Sequence, residues 1–256
     1  MQHRKPSLIW VIALGALVAL SVSASAQVTE EFHRTVPLPS NGRVSLGNVN
    51  GNVTITGWER NEVQIDAVKK ASNQQKLDEA KIEVDAGSDY VRIRTRYPEN
   101  HTNNNPASVT YELHVPRTAG LDSIDLVNGS LDVSQVSGEV RSNLVNGSTK
   151  IHDLAGRAHL SSVNGTIAAT YRTLDNVSDI ELKSVNGAVR LGLPSSPNAD
   201  VRVSTVNGAI TTDFPLTVQG KFVGRHLDGK LGNGGTRIEI SNVNGTVHIG
   251  PGEGSL

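Results

Sequence analysis

The sequence predicts an all-β chain wound as a parallel β-solenoid, β-helix-like, with irregular N-terminal coils and one short helix; it does not set the hand of the coil, for which right-handed is the default of parallel crossovers. Three observations carry this. The triplet Val-Asn-Gly begins at Val49, Val127, Val145, Val163, Val185, Val206 and Val243, at intervals of 78, 18, 18, 22, 21 and 37 residues, and recurrence at such a period marks a stacked repeat. On both sides of the triplet apolar residues return at every second position, which is strand periodicity. The composition holds 25 glycines in 256 residues but only three Phe, two Trp and four Tyr, so the core must be built from small aliphatic side chains between tight turns.

The first segment reads as an address. Residues 1–26 combine a basic start (His3, Arg4, Lys5), an apolar run over 8–22 and Ala24-Ser25-Ala26 ahead of Gln27, the three parts of a signal peptide. Cleavage after Ala26 is expected, with a periplasmic or extracellular destination. The run is short for a bilayer and no later apolar stretch approaches 18 residues, so no membrane span is expected in the mature chain. The chain has no cysteine, which excludes a disulfide framework, a lipid-anchoring Cys and thiol chemistry. The expected division is a signal peptide (1–26), an N-terminal β region (27–120), the repeat solenoid (121–250) and a C-terminal tail (251–256).

Within 27–120, residues 63–68 read as a strand and SNQQKLDEA as one or two helical turns. KIEVDAGSDYVRIRTRY reads as a hairpin through Gly87-Ser88-Asp89, PENHTNNNPAS as a polar loop and VTYELHV as a strand ending before Pro116. These are either wide first coils that cover an open sheet edge, since a bare edge invites aggregation, or a separate small domain.

In the repeat region the strand before each triplet alternates through Val140 and Ser142, Ala158 and Leu160, Ile180 and Leu182, Val201 and Val203, Ile238 and Ile240. The strand after it alternates through Leu131 and Val133, Thr149 and Ile151, Ile167 and Ala169, Val189 and Leu191, Val247 and Ile249. Asn-Gly is also a hairpin signal, so a meander competes with a coil. The fixed unit favours the coil, in which RTLDNVSD, PSSPNAD and FPLTVQGKFVGRHLDGKLGNGG loop outward. The triplets then supply a structural corner ladder of Asn128, Gly129, Asn146, Gly147, Asn164, Gly165, Asn186, Gly187, Asn207, Gly208, Asn244 and Gly245. Gly is expected to adopt positive φ there, and each Asn to bond the Asn of the next coil.

The stretch VSLGNVNGNVTITGWERNEVQIDAVKK, the later VTYELHVP and the run of VNG units resemble a bacterial family of exported β-strand-repeat domains of unknown function, labelled putative adhesins. The resemblance covers about residues 44–249. It implies a β-solenoid fold, export and a role in the cell envelope, and it brings no catalytic residues with it.

The chemistry left to the surface is sparse. With 24 basic and 25 acidic residues no long-range field draws in nucleic acid. On the outward face Asp179, Glu181 and Asp200 form one acidic cluster, able to bind a cation or to serve as paired acids. The alternative there is a ladder of ion pairs in which Arg157 meets Asp179, His159 meets Glu181 and Glu181 meets Arg202. The histidines lack zinc spacing, and LGNGGTR lacks the ending of a phosphate loop. No cofactor or metal is expected. The less charged row after the corner (Thr166, Ala168, Thr170, Ala188, Arg190, Ala209, Thr211), mostly of small residues, suits docking of an envelope protein or a glycan. The function expected is non-enzymatic adhesion or partner binding on a rigid solenoid; the alternatives are a polysaccharide lyase or glycoside hydrolase on a β-helix, and a purely structural envelope protein. Oligomeric state is not set by the sequence.

Overall fold

The computed structural model describes residues 27–98, 106–216, 218–219 and 224–252; the leader with its cleavage point and most of the loop PENHTNNNPAS lie outside the described residues. The N-terminal elements are β1 (Val28–Pro37), β2 (Arg43–Asn50), β3 (Val53–Trp58), β4 (Glu62–Ala71), α1 (Gln74–Glu79), β5 (Lys81–Ala86), β6 (Tyr90–Arg96) and β7 (Ser108–Pro116). The repeats supply β8 (Gly120–Asn128), β9 (Leu131–Ser134), β10 (Val140–Asn146), β11 (Thr149–Leu154), β12 (Ala158–Asn164), β13 (Ile167–Tyr171), β14 (Asp179–Asn186) and β15 (Val189–Leu193). They continue through β16 (Ala199–Asn207), β17 (Ile210–Thr212), β18 (Val218–Gln219), β19 (Arg225–Leu231), β20 (Thr236–Asn244) and β21 (Val247–Pro251).

The strands form two sheets, ordered β1-β4-β7-β3-β9-β11-β13-β15-β21-β17 and β18-β19-β16-β20-β14-β12-β10-β8-β2-β6-β5. In each VNG unit the strand before the corner enters the second sheet and the strand after it enters the first. Successive coils pair in parallel, with Leu160 opposite Leu182 and Ile167 opposite Val189. A meander would have put consecutive strands side by side and antiparallel in one sheet; the Asn-Gly corner instead passes the chain from sheet to sheet. The alternating residues named above are buried, Ile180, Leu182, Val189 and Leu191 among them at 0 % exposure. Each such side chain contributes about 1.5–3 kcal/mol of burial.

The coils do not stack in chain order. The last coil, β20 and β21, lies between β14/β15 and β16/β17, and at the other end β2 and β3 lie between β6/β7 and β8/β9. Both sheets therefore run through the N-terminal segment and the repeats alike. Antiparallel strands flank both sheets at the N-terminal end and the eleven-stranded sheet at the other, where the ten-stranded sheet finishes in β17, parallel to β21. β4, β1 and β5 do so at the N-terminal end, joined by α1, whose Leu77 is buried and whose N-terminus is capped by the Asn73 side chain. At the other end the longest insertion does not simply loop out: its β19 pairs antiparallel with β16, and β18 with β19.

Candidate functional site

Each triplet makes a corner from three residues with different roles. The Asn residues form a continuous carboxamide ladder across seven coils. Asn128 Nδ2 donates to Asn50 Oδ1, Asn146 to Asn128, Asn164 to Asn146, Asn186 to Asn164, Asn244 to Asn186 and Asn207 to Asn244, all at 2.9–3.1 Å. The glycine amides point the other way, Gly147 N–H donating to Asn164 O and Gly165 N–H to Asn186 O. The ladder lies at the surface. Each amide nitrogen has two N–H groups and each oxygen two lone pairs, so every coil still offers one donor and one acceptor to a ligand.

Glycine is required for a reason that the sequence does not announce. Gly147, Gly165, Gly187 and Gly245 have φ of 143–158°, and Gly129 and Gly208 fall outside the left-handed range, so backbone conformation alone does not explain the residue. A Cβ on Gly147 would lie 2.0 Å from Gly129 O, on Gly165 1.9 Å from Gly147 O and on Gly208 1.9 Å from Gly245 O. The corners stack too closely for any side chain. The half-period echoes VSG and LAG obey the same rule, Gly156 resting on Gly138 O.

The valine of each triplet faces outward. Val127, Val145, Val163, Val185, Val206 and Val243 are 38–47 % exposed and are the only exposed large hydrophobic residues among those described. With half-buried Val49 they form one rail, and seven strands about 4.8 Å apart give it a length of about 29 Å. Beside the rail, Ser161, Lys183, Ser241 and Ser204 floor a shallow groove of ≈ 400 Å³ walled by Val163, Val185, Val243 and Val206. The three serines, short beside the β-branched valines, leave that hollow.

Farther from the corner the same sheet face is charged. The three predicted acidic residues are not brought together: β20 intervenes, placing Arg237 between Asp179 and Asp200, and Glu239 between Glu181 and Arg202. His159 instead lies among carboxylates from neighbouring coils, its Nε2 3.0 Å from Asp179 and its Nδ1 3.2 Å from Glu181. Glu139 pairs with Arg141 and Arg157, and Lys183 pairs with Glu181. The Lys183 ammonium, and after it His159, hold the Glu181 carboxyl below its ordinary range. Among the described residues no group of His, Asp and Glu is placed to hold a metal ion. On the other sheet the expected row of small residues is interrupted, because Ala168 and Thr170 are buried at 4 % and 6 %; Ala168 lies in register between the longer Lys150 and Arg190.

One cavity has no counterpart in the sequence reading. The segments ahead of β14, β16 and β20 meet because those strands are neighbours, and they border an open hollow of ≈ 390 Å³ lined by Arg172, Asp175, Asn176, Pro197, Asn198 and Gly235.

The profile of Toastrack, a domain family of unknown function, matches residues 123–250, half of the chain. The chain belongs to the Toastrack (DUF4097) family. A solved structure of a putative cell adhesion protein from Clostridium sporogenes is 14 % identical, with a TM-score of 0.50 over 88 % of this chain and 100 % of that one. At that identity it shows a shared fold and nothing finer. A putative adhesin from Bacteroides fragilis is 12 % identical over 87 % of this chain and 97 % of its own, with a TM-score of 0.39. Among curated proteins none matches. Among the described residues no helix of this Toastrack protein is long and apolar enough to cross a membrane.

Proposed function

We propose that this Toastrack protein is a non-enzymatic adhesion protein, exported to the cell envelope, which binds an elongated partner along the valine rail and the asparagine ladder. The observation that carries the reading is the rail itself. An outward strand position is satisfied by Thr or Lys at no cost in burial, yet seven coils present Val there, in line and beside free amide donors and acceptors. A contiguous exposed apolar strip with a polar border is the usual mark of an interaction surface, and a solenoid holds it straight. The adhesion names of the structural relatives agree with this reading. A hydrolase or lyase is less well supported, because Asp179, Glu181 and Asp200 are paired with His159, Lys183 and Lys230 in turn, and Arg237 stands between Asp179 and Asp200.

The test is binding of the purified chain to immobilised envelope proteins and to a glycan array, with a reducing-sugar assay alongside. Val145→Thr with Val163→Thr keeps the β-branched shape and adds two hydroxyls. Binding should fall at least about tenfold, with a melting temperature close to wild type. Undiminished binding overturns the rail as the site, and sugar turnover abolished by Asp179→Ala or Glu181→Ala overturns the non-enzymatic reading.

A further inference from the structure

β1 is the outermost strand of the ten-stranded sheet. One edge pairs with β4 over its whole length, from Val28 opposite Ala71 to Pro37 opposite Glu62; the other edge has no partner strand among the described residues. A ten-residue strand with a free row of N–H and C=O groups is a template for another strand.

The sequence of β1, VTEEFHRTVP, is chemically self-complementary about Phe32. When a strand pairs antiparallel with a copy of itself around that residue, Val28 meets Val36, Thr29 meets Thr35, Glu30 meets Arg34, Glu31 meets His33 and Phe32 meets Phe32. The faces agree as well. Val28, Phe32 and Val36 pack toward the core with Glu30 and Arg34 on the same side, Glu30 2.7 Å from Lys69 and Arg34 bonded to Val84 O. Glu31 and His33, 70 % and 65 % exposed, face solvent. A two-fold axis perpendicular to the sheet preserves faces, so opposed residues must have numbers with an even sum. Centring the pair on residue 31 sets Glu31 against Glu31, and centring it on 33 sets His33 against His33. Only the register about Phe32 sets every charge against its opposite. Edges that resist self-pairing carry like charges in opposition; this edge does the reverse.

We propose that the protein dimerises through β1, paired antiparallel with β1 of a second copy about a two-fold axis at Phe32, so that the two ten-stranded sheets join at their N-terminal ends. Two rails in one particle would raise avidity for a repeating target with no new contact. The proposal is independent of the adhesion reading, since a monomeric chain could still bind and a dimer could fail to.

The test uses the chain from Gln27 onward. Sedimentation velocity over a dilution series should show a monomer–dimer equilibrium, and Glu31→Lys should weaken it at least about tenfold while leaving the melt unchanged. Because the chain has no cysteine, single cysteines report the register: directly opposed Cα atoms of an antiparallel pair lie about 4.5–5.5 Å apart, within the span of a disulfide. Phe32→Cys should cross-link to itself. Thr29→Cys and Thr35→Cys should each cross-link poorly alone and efficiently when mixed, which keeps the test intact if Phe32→Cys fails to fold. A chain that stays monomeric through the micromolar range, or a dimer in which the mixed Thr29→Cys and Thr35→Cys chains do not cross-link, overturns the proposal.

Discussion

Asn50 and Asn164 belong to the same ladder but do different work in it. Asn164 both donates to Asn146 and accepts from Asn186, whereas the side chain of Asn50, at the end of the row, only accepts from Asn128. A carboxylate can accept and cannot donate. Asn164→Asp therefore loses one bond and turns an anion toward the Asn146 oxygen, and a melt should show a loss of about 0.5–1.5 kcal/mol. Asn50→Asp keeps its one bond, now charge-assisted, and should melt like wild type or slightly above it. Equal losses in the two variants would mean that the ladder contributes nothing directional. If Asn164→Asp instead melts normally and loses binding, the ladder is the ligand site and the corner stands without it.

At the scale of elements, the strands and corners were legible because burial imposes period two on the sequence and close stacking imposes glycine, as at Ile180, Leu182 and Gly187. The order of the coils was not. Seven near-identical corners stack on one another equally well, so nothing local says that β20 belongs between β14 and β16, and the acidic cluster was assembled on the wrong neighbour for that reason. β1 is not legible either, since an edge strand with a mostly exposed surface carries charges where a buried strand shows alternation. Ser148 shows the same limit at one position: it looks like a free outward residue, yet its N–H bonds Ser130 Oγ and its hydroxyl accepts from Thr166 N–H, a second ladder beside the first. The inserted coil makes a prediction of its own. A chain ending at Gly232 loses β20 and β21, and β16 can regain a parallel partner only by stacking on β14 with Asp200 against Asp179. Loss of a cooperative urea transition is expected. A chain in a simple sequential stack would only be trimmed by that cut, so a cooperative melt with a small loss of stability would show that the order of coils is dispensable.

At the scale of the whole molecule, the two ends are not equivalent, because one of them finishes in the self-complementary edge of β1 and that edge contains a titrating group. His33 Nδ1 lies 2.7 Å from Asp66 of β4 and its Nε2 3.5 Å from Glu31 of its own strand. Hydrogen bonding to Asp66, and then to Glu31, holds the imidazole pKa above its ordinary value, and His33 in turn holds the Asp66 carboxyl below its own. A raised histidine pKa contributes fully at pH below the unfolded value, and the contribution is lost as pH rises through the folded value. In the β1 pair, Glu31 of the second copy becomes a third carboxylate facing the same ring, so the protonated form favours association beyond what the monomer already gains. Dimerisation should accordingly weaken by a few-fold as pH rises from about 6 to about 8, a modest effect because both groups are exposed and screened by salt. Sedimentation at the two pH values with wild type and His33→Gln decides it. The variant should show a flat profile, while a pH dependence that survives the substitution would place the titrating group elsewhere and remove His33 from the contact.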